Sequence, residues 1–194
     1  MKKKSLRAFT LIELLIVLAL LSVLLTLAAP SFRDFYRSSQ LSSQVNNLVA
    51  ALQTAKNEAV KHNAYTYLVP NDGASWDSGW MVFVDTNFDG IFTQGQDIRI
   101  MQNEAFPGTL QVRATGSASG ASPYVSFDGS GYPRTNSGTR LGLTFTVNVR
   151  DLTGSQAVQN TRNIKLAVTG RLRSCRPQST SDSKCETPSY SSGS

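Results

Sequence analysis

The sequence has one histidine, His62, and two cysteines, Cys175 and Cys185, which excludes a multi-histidine metal centre and a four-cysteine zinc site. It has no GxxxxGK[ST] segment, so a P-loop nucleotide enzyme is not indicated. Charge is scarce: 16% of the 194 residues are Asp, Glu, Lys or Arg, and Ser, Thr, Asn, Gln and Gly are abundant. Such a polar but weakly charged surface is commoner outside the cytoplasm than inside it. No internal repeat is evident. No nucleophile–base pair can be named without assuming proximity, so no catalytic residue, cofactor or enzyme class is expected. The length suits one domain, with or without appendages.

Acid is missing where base is densest. Lys2, Lys3, Lys4 and Arg7 precede the first apolar run with no carboxylate among them. The chain carries 19 Lys+Arg against 13 Asp+Glu, a net charge of +6; without those four cations the balance is 15 against 13. A second basic cluster lies near the end, where Arg162, Lys165, Arg171, Arg173, Arg176 and Lys184 face only Asp182 and Glu186.

Between these clusters the chain opens with an apolar run, Phe9 to Ala29, 21 residues long with Glu13 as its one charge and Pro30 after it. At about 1.5 Å per residue such a helix spans roughly 30 Å, the hydrocarbon thickness of a bilayer. The basic cluster in front of it stays cytoplasmic by the positive-inside rule, which sends the remainder across the membrane. A secretory signal has a shorter apolar core and a cleavage site behind it, so residues 9–29 read as a single-pass anchor. Glu13 is out of place in it, since a carboxylate at the bilayer centre costs about 2.5–3.5 kcal/mol. Either it snorkels from the helix end, or it awaits a cationic partner in an assembly.

The stretch Lys2-Lys3-Lys4-Ser5-Leu6-Arg7-Ala8-Phe9-Thr10-Leu11-Ile12-Glu13-Leu14-Leu15 resembles the class III signal of type IV pilins and type II secretion pseudopilins. The resemblance implies that residues 1–8 are a leader removed by a prepilin peptidase between Ala8 and Phe9. The new amine on Phe9 is then methylated, and Glu13 pairs with the N-terminal amine of a neighbouring subunit. Pro30 falls where many pilin helices kink. Ala8 departs from the family, which usually has Gly before the cut. The localisation implied is the bacterial inner membrane, with the globular part periplasmic, and a pilus or pseudopilus after assembly.

Beyond Pro30, apolar residues fall at Leu41, Val45, Leu48, Leu52, Ala55 and Ala59, one stripe of an amphipathic helix. One helix is therefore expected from about Phe9 to about Lys61, with residues 30–62 as its amphipathic half. His62 beside Lys61 complements the helix dipole at its end. From Asn63 the period changes. Tyr65–Val69, Trp80–Val84, Asp97–Met101, Thr109–Arg113, Tyr124–Phe127, Leu141–Arg150 and Asn163–Thr169 are short runs rich in Val, Ile, Thr, Tyr and Phe, separated by Gly, Asn, Asp, Ser and Pro. The fold expected is α+β and pilin-like: a long N-terminal helix packed against an antiparallel β-sheet domain over residues 63–175. Gly116–Ser122 reads as a flexible loop, and 176–194 as a mostly flexible tail that holds a disulfide.

The segment Gly79-Trp80-Met81-Val82-Phe83-Val84-Asp85-Thr86-Asn87-Phe88-Asp89-Gly90 is similar to a hairpin of the FimT/GspH branch of pilin-like proteins, a branch of minor pilins and minor pseudopilins near fibre tips. Within it Asp85, Asn87 and Asp89 have the spacing that opens a calcium loop, but position twelve is Gln96 and strands, not helices, flank it. A tight turn accounts for the same residues, because Asn, Asp and Gly accept the dihedrals required.

Cys175 and Cys185 lie on the exported side, where thiols oxidise. Their pairing stabilises by roughly 2.5–3 kcal/mol; the alternative is a free thiol. Gly170-Arg171-Leu172-Arg173 follows the last expected strand. Alternation sends Arg171 and Arg173 to one side, where two guanidinium groups can grip adjacent phosphates. Arg176 extends the row, and Lys165 and Lys184 lie near in sequence. The alternative is a solvated face. Gly-Arg-x-Arg followed by Ser174-Cys175 resembles the DNA-binding signature of FimT-type minor pilins that support natural transformation. That resemblance implies double-stranded DNA, bound without sequence preference, as a partner beside other major and minor pilins. The competing reading is a GspH-like minor pseudopilin of a type II secretion system.

Overall fold

The computed structural model describes residues 9–186 and 188, without the side chains of 26–31 and 33. The expected leader with Ala8, the side chain of Pro30 and most of the last residues lie outside that description. Helix α1 runs over Leu11–His62, 52 residues, unbroken through position 30. The chain divides into two compact units at Ser39/Gln40.

The first unit is the leading part of α1. Thr10 caps it: its carbonyl accepts from Leu14 N–H and its hydroxyl from Glu13 N–H at 3.3 Å. Thr10-Leu11-Ile12-Glu13 thus has capping-box spacing. Leu11, Ile12, Leu14, Leu15, Val17 and Leu18 are all at least half exposed, so this stretch buries no face of its own. Among the described residues no helix is long and apolar enough to cross a membrane. An anchor over 9–29 therefore rests on the sequence.

The second unit begins with the rest of α1. Leu41, Val45, Leu48, Ala51, Leu52, Ala55 and Ala59 are buried, the stripe expected from the 3–4 spacing with Ala51 added. Asn63, at φ 47°, ends the helix, and Ala64 N–H returns to the Ala59 carbonyl. His62 turns back on Glu58, with Nε2 3.2 Å from Oε2, beside Lys61 at 3.0 Å. The Lys61 hydrogen bond outweighs desolvation and, with the charges of Lys61 and His62, holds the Glu58 carboxyl below its ordinary range.

Nine strands follow among the described residues: β1 Thr66–Pro70, β2 Trp80–Val84, β3 Ile98–Asn103, β4 Leu110–Ala114, β5 Val125–Phe127, β6 Pro133–Arg134, β7 Leu143–Val149, β8 Thr161–Leu166 and β9 Leu172–Cys175. Every pairing is antiparallel. They form two antiparallel sheets, ordered β3-β2-β1-β5-β6 and β4-β7-β8-β9. Leu68, Trp80, Val82, Val125 and Phe127 from the first sheet share one core with Leu110, Phe145, Val147, Ile164 and Leu166 from the second and with the α1 stripe.

Three features differ from the sequence reading. A short helix, α2, spans Gly154–Gln159 between β7 and β8. The Gly116–Ser122 segment is not simply a loose loop: it opens with a 3-10 turn, buries Ala118, and its Ala118 carbonyl accepts from the Trp76 indole N–H at 2.7 Å. Trp76 in turn meets Phe145 edge to face at 4.9 Å. Finally, Leu172–Cys175 is itself the last strand, not a segment that follows it.

Candidate nucleic-acid interface

β8 and β9 are joined by a tight hairpin. Gly170 N–H donates to the Ala167 carbonyl at 2.8 Å, and Ala167 N–H to the Arg171 carbonyl at 3.0 Å. This is a type I turn closed by a left-handed residue, and Gly170 supplies it at φ 76°. A Cβ at that position would stand 2.5 Å from the Gly131 carbonyl oxygen. Lys56 of α1 reaches across and donates to the Gly170 carbonyl at 3.0 Å. The glycine of Gly-Arg-x-Arg is therefore required by the turn, and it fixes where Arg171 leaves the sheet.

Register then sorts the cations onto two sides. Across the four-stranded sheet, Arg173 pairs with Lys165, which pairs with Thr144. Direct partners in antiparallel strands share a face, and this row lies opposite the buried row of Phe145 and Ile164. Arg171 joins Lys165, Arg173, Thr115 and Thr144 around a cleft of about 400 Å³ on that outer side. Arg171 and Arg173 are exposed, and among the described residues neither they nor Lys165 forms an ion pair. Unpaired guanidinium groups on an open face leave their donor forks to an incoming anion.

Arg176 does not continue that row. Even-numbered residues of β9 point the other way: Ser174 pairs with Ile164, which is fully buried, and Arg176 lies two residues beyond it. Arg176 instead meets Arg173 and Lys184 around a second cleft of about 450 Å³, beside the disulfide loop. Lys184 is thus brought near the arginines and Arg176 sits at the sheet edge.

Cys175 and Cys185 are bonded, with Cα atoms 5.9 Å apart. The loop they close is pinned, not flexible as far as residue 186. Cys185 is buried, and Asn163 of β8, itself fully buried, donates to the Cys185 and Glu186 carbonyls at 3.2 Å each. Thr146 holds the Asn163 amide from the other side at 2.8 Å. Within the loop one Asp182 carboxylate accepts from the N–H groups of Gln178, Lys184 and Cys185. Asn163 and Asp182 were missed by sequence reasoning; β8 reads Thr-Arg-Asn-Ile-Lys-Leu, in which one more polar residue gives no signal.

The loop's two fastenings make separate predictions. Reducing the cystine should lower stability by about 3 kcal/mol, read as the difference in unfolding midpoint with and without reductant. The backbone N–H of Gln178, then that of Lys184, hold Asp182 below 3.8 against slight desolvation, helped by Cys185 N–H and the Lys184 charge. A depressed carboxylate gives its support above the unfolded value and loses it as pH falls through the folded one. Amide protection factors at Gln178, Lys184 and Cys185 should therefore hold from neutral pH to about 4 and drop below about pH 3.8.

The remaining expected sites resolve differently. Phe9 and Glu13 are exposed, and Glu13 has no ion pair among the described residues. In the Asp85–Asp89 segment the carboxylates serve the backbone. Buried Asp85 accepts from Phe88 and Gly90 N–H at 2.7 and 2.9 Å, and Asp89 from Ile91 N–H at 2.7 Å. Asn87 bridges Asp89 and Gln96. Among the described residues no group of three or more His, Cys, Asp and Glu is placed to hold a metal ion.

The family model described as type II transport protein GspH matches residues 44–171, and the prokaryotic N-terminal methylation motif matches residues 3–29. A pilin-like protein, PilA1, of Thermus thermophilus is 35% identical over 92 residues, 47% of this chain and 56% of that one. A fimbrial protein of Pseudomonas aeruginosa is 39% identical over 57 residues, 29% of this chain and 36% of that one. The chain thus spans about half the length, or less, of the curated relatives it matches. Among solved structures, the type IV minor pilin FimU of Pseudomonas aeruginosa superposes with TM-score 0.51 at 18% identity, covering 72% of this chain and 96% of that one. The minor pseudopilin EpsH of the Vibrio cholerae type II secretion system gives TM-score 0.51 at 12% identity, with the same coverages of 72% and 96%. Those two likenesses speak for the fold, a pilin-like helix with antiparallel sheets. The GspH model spans α1 from its buried stripe through all but the last strand, so this chain belongs to the GspH family of type II transport proteins.

Proposed function

We propose that the protein is a minor pilin of the FimT kind, assembled near the tip of a fibre, which binds extracellular double-stranded DNA for uptake. The observation that carries this is the row of Lys165, Arg171 and Arg173, unpaired among the described residues and held on the outer face by Gly170 and the pinned disulfide loop. Membership of the GspH family of type II transport proteins supports a structural and binding subunit rather than an enzyme. Phosphate contacts dominate such binding, so sequence preference is absent. One domain with three contacts binds weakly, and several along a fibre gain avidity. Arg176 and Lys184 flank the row and add long-range attraction.

The test is a titration of duplex DNA against a soluble fragment starting after Pro30. Neutralising about three phosphates makes log K fall with log salt at a slope near −3. Binding that is absent at 50 mM salt would overturn the reading.

The methylation-motif match supports processing between Ala8 and Phe9, anchoring through 9–29 in the inner membrane, and Glu13 as the partner of a neighbouring N-terminal amine. Glu13→Ala should leave the subunit in the membrane fraction and deplete it from sheared fibres. Equal amounts in fibres of parent and variant would leave Glu13 as a first-turn carboxylate that favours the helix dipole only.

The GspH match favours a second reading, a structural pseudopilin in a type II secretion fibre. The anchor, helix and sheets serve both; the arginine row belongs to the first alone.

A further inference from the structure

The side of β8 and β9 that faces α1 carries cations of its own. Val147 and Ile164 place Arg162 on the core-facing side of β8, and Ser174 shares that side on β9. There Arg162 and Arg176 line one cleft of about 260 Å³ with Ser42 and Asn46 of α1 and Ser174. Arg162 is partly buried, and its Nη1 is held by the carbonyls of Gln159 and Thr161 at 3.0 and 2.9 Å. That leaves Nε and Nη2 for another group. Burial, and then the positive charge of Arg176, disfavour the charged form of Arg162. No carboxylate among the described residues pairs with either arginine.

Two guanidinium groups around one recess repel each other, and holding one of them partly out of water adds to the cost. A single oxyanion between them reverses both effects, and the hydroxyls of Ser42 and Ser174 with the Asn46 amide supply neutral donors around it. We propose that this cleft binds the carboxylate of an Asp or Glu side chain presented by a neighbouring subunit of the fibre. The neighbour's being a fibre subunit rests on the assembly proposed above; the anion chemistry of the cleft does not.

A protein side chain fits better than DNA for two reasons. Arg162, Ser42 and Asn46 lie on the α1 side of the sheet and Lys165, Arg171 and Arg173 on the other; Arg176, which also borders a cleft with Arg173, is the one side chain between them. Lys56 marks the level of the Gly170 turn along α1, while Ser42 and Asn46 mark the level of the cleft. At 1.5 Å per residue those levels differ by roughly 15–20 Å. Duplex DNA, with a persistence length of about 150 base pairs, does not fold around the edge of one strand over that distance. A carboxylate on a flexible side chain enters a recess of this size directly.

Three full-length variants test the proposal in the bacterium that carries the protein, scored as subunit recovered in sheared fibres, and in detergent micelles, scored as DNA affinity and unfolding midpoint. Arg162→Gln should reduce fibre incorporation at least tenfold while changing DNA affinity less than twofold. Arg162→Lys, which keeps the charge without the fork, should restore part of the incorporation. Asn46→Asp puts a carboxylate into the cleft from an exposed helix position. It should raise the unfolding midpoint and still lose incorporation, a combination that a purely structural role for Arg162 does not give, and it keeps the test intact if Arg162→Gln folds poorly. Normal incorporation of Asn46→Asp overturns the proposal. So does a loss of DNA affinity in Arg162→Gln as large as that of Arg171→Ala combined with Arg173→Ala, which would make the cleft part of the DNA track. If the parent protein is absent from fibres, the assembly reading itself fails, and the two failures are told apart.

Discussion

Arg171→Ala combined with Arg173→Ala should abolish measurable DNA binding by the soluble fragment at 150 mM salt and leave its fold intact. Each single substitution should weaken binding and flatten the slope of log K against log salt by about one unit, from near −3 towards −2. Between 50 and 200 mM salt the parent should lose roughly fortyfold in affinity, and the double variant, with Lys165 the remaining cation of the row, should lose only about threefold to fourfold. Arg→Lys at either position should rescue only in part, since an ammonium keeps the charge and loses the bidentate grip. Both arginines are exposed and unpaired among the described residues, so the unfolding midpoint should move by no more than the equivalent of about 0.5 kcal/mol. In cells the double variant should lose DNA uptake and keep its fibres. A double variant that binds as tightly as the parent at every salt concentration makes the row a solvated face and moves the pseudopilin reading ahead.

Much of this was legible in residue order because the physics involved is local. The stripe from Leu41 to Ala59 has the helical period, and it is what α1 buries. Leu143, Phe145, Val147 and Val149 alternate with polar residues, and β7 buries that set. Asn63 and Gly170 stand where a left-handed residue is needed. What was not legible depends on pairings distant in sequence. The division into two sheets turns on β1 pairing with β2 and β5 while β4 pairs with β7, which no window of ten residues contains. β9 was missed because Leu172–Cys175 has no apolar alternation: Arg173 faces solvent and Ser174, though on the core side, is exposed too. Arg176 does border a cleft with Arg173, but the odd–even rule of a strand takes it off the outer-face row that nearness in sequence suggested. Asn163 lies among β-formers and gave no sign that it would fasten the loop until Thr146, Cys185 and Glu186 were brought around it.

Gly170→Ala separates geometry from charge, because it leaves every cation in place. The methyl group would meet the Gly131 carbonyl oxygen at 2.5 Å, a backbone atom that cannot swing aside, and Gly170 holds φ 76°. An L-residue in the left-handed region costs about 1–2 kcal/mol before any clash, and relieving the clash brings the expected loss to roughly 2–4 kcal/mol. For a domain of this size that is a fall of about 5–15 °C in unfolding midpoint. The relief has two routes. Moving the turn away from Gly131 breaks the Lys56 contact to the Gly170 carbonyl, and flipping the Gly170 peptide breaks the hairpin bonds that set Arg171. Either way Arg171 no longer leaves the sheet beside Lys165 and Arg173. DNA affinity should therefore fall at least tenfold under conditions where the variant is still folded, while net charge is unchanged. The cystine limits how far the damage spreads, since β9 stays tied at Cys175 and the pairing of Asn163 with the loop does not involve the turn. A folded Gly170→Ala variant with parental affinity would mean that DNA responds to the charge of the segment and not to its placement. The same loss of affinity without loss of stability would mean that the turn yields easily and that the position of Arg171 is what the glycine secures.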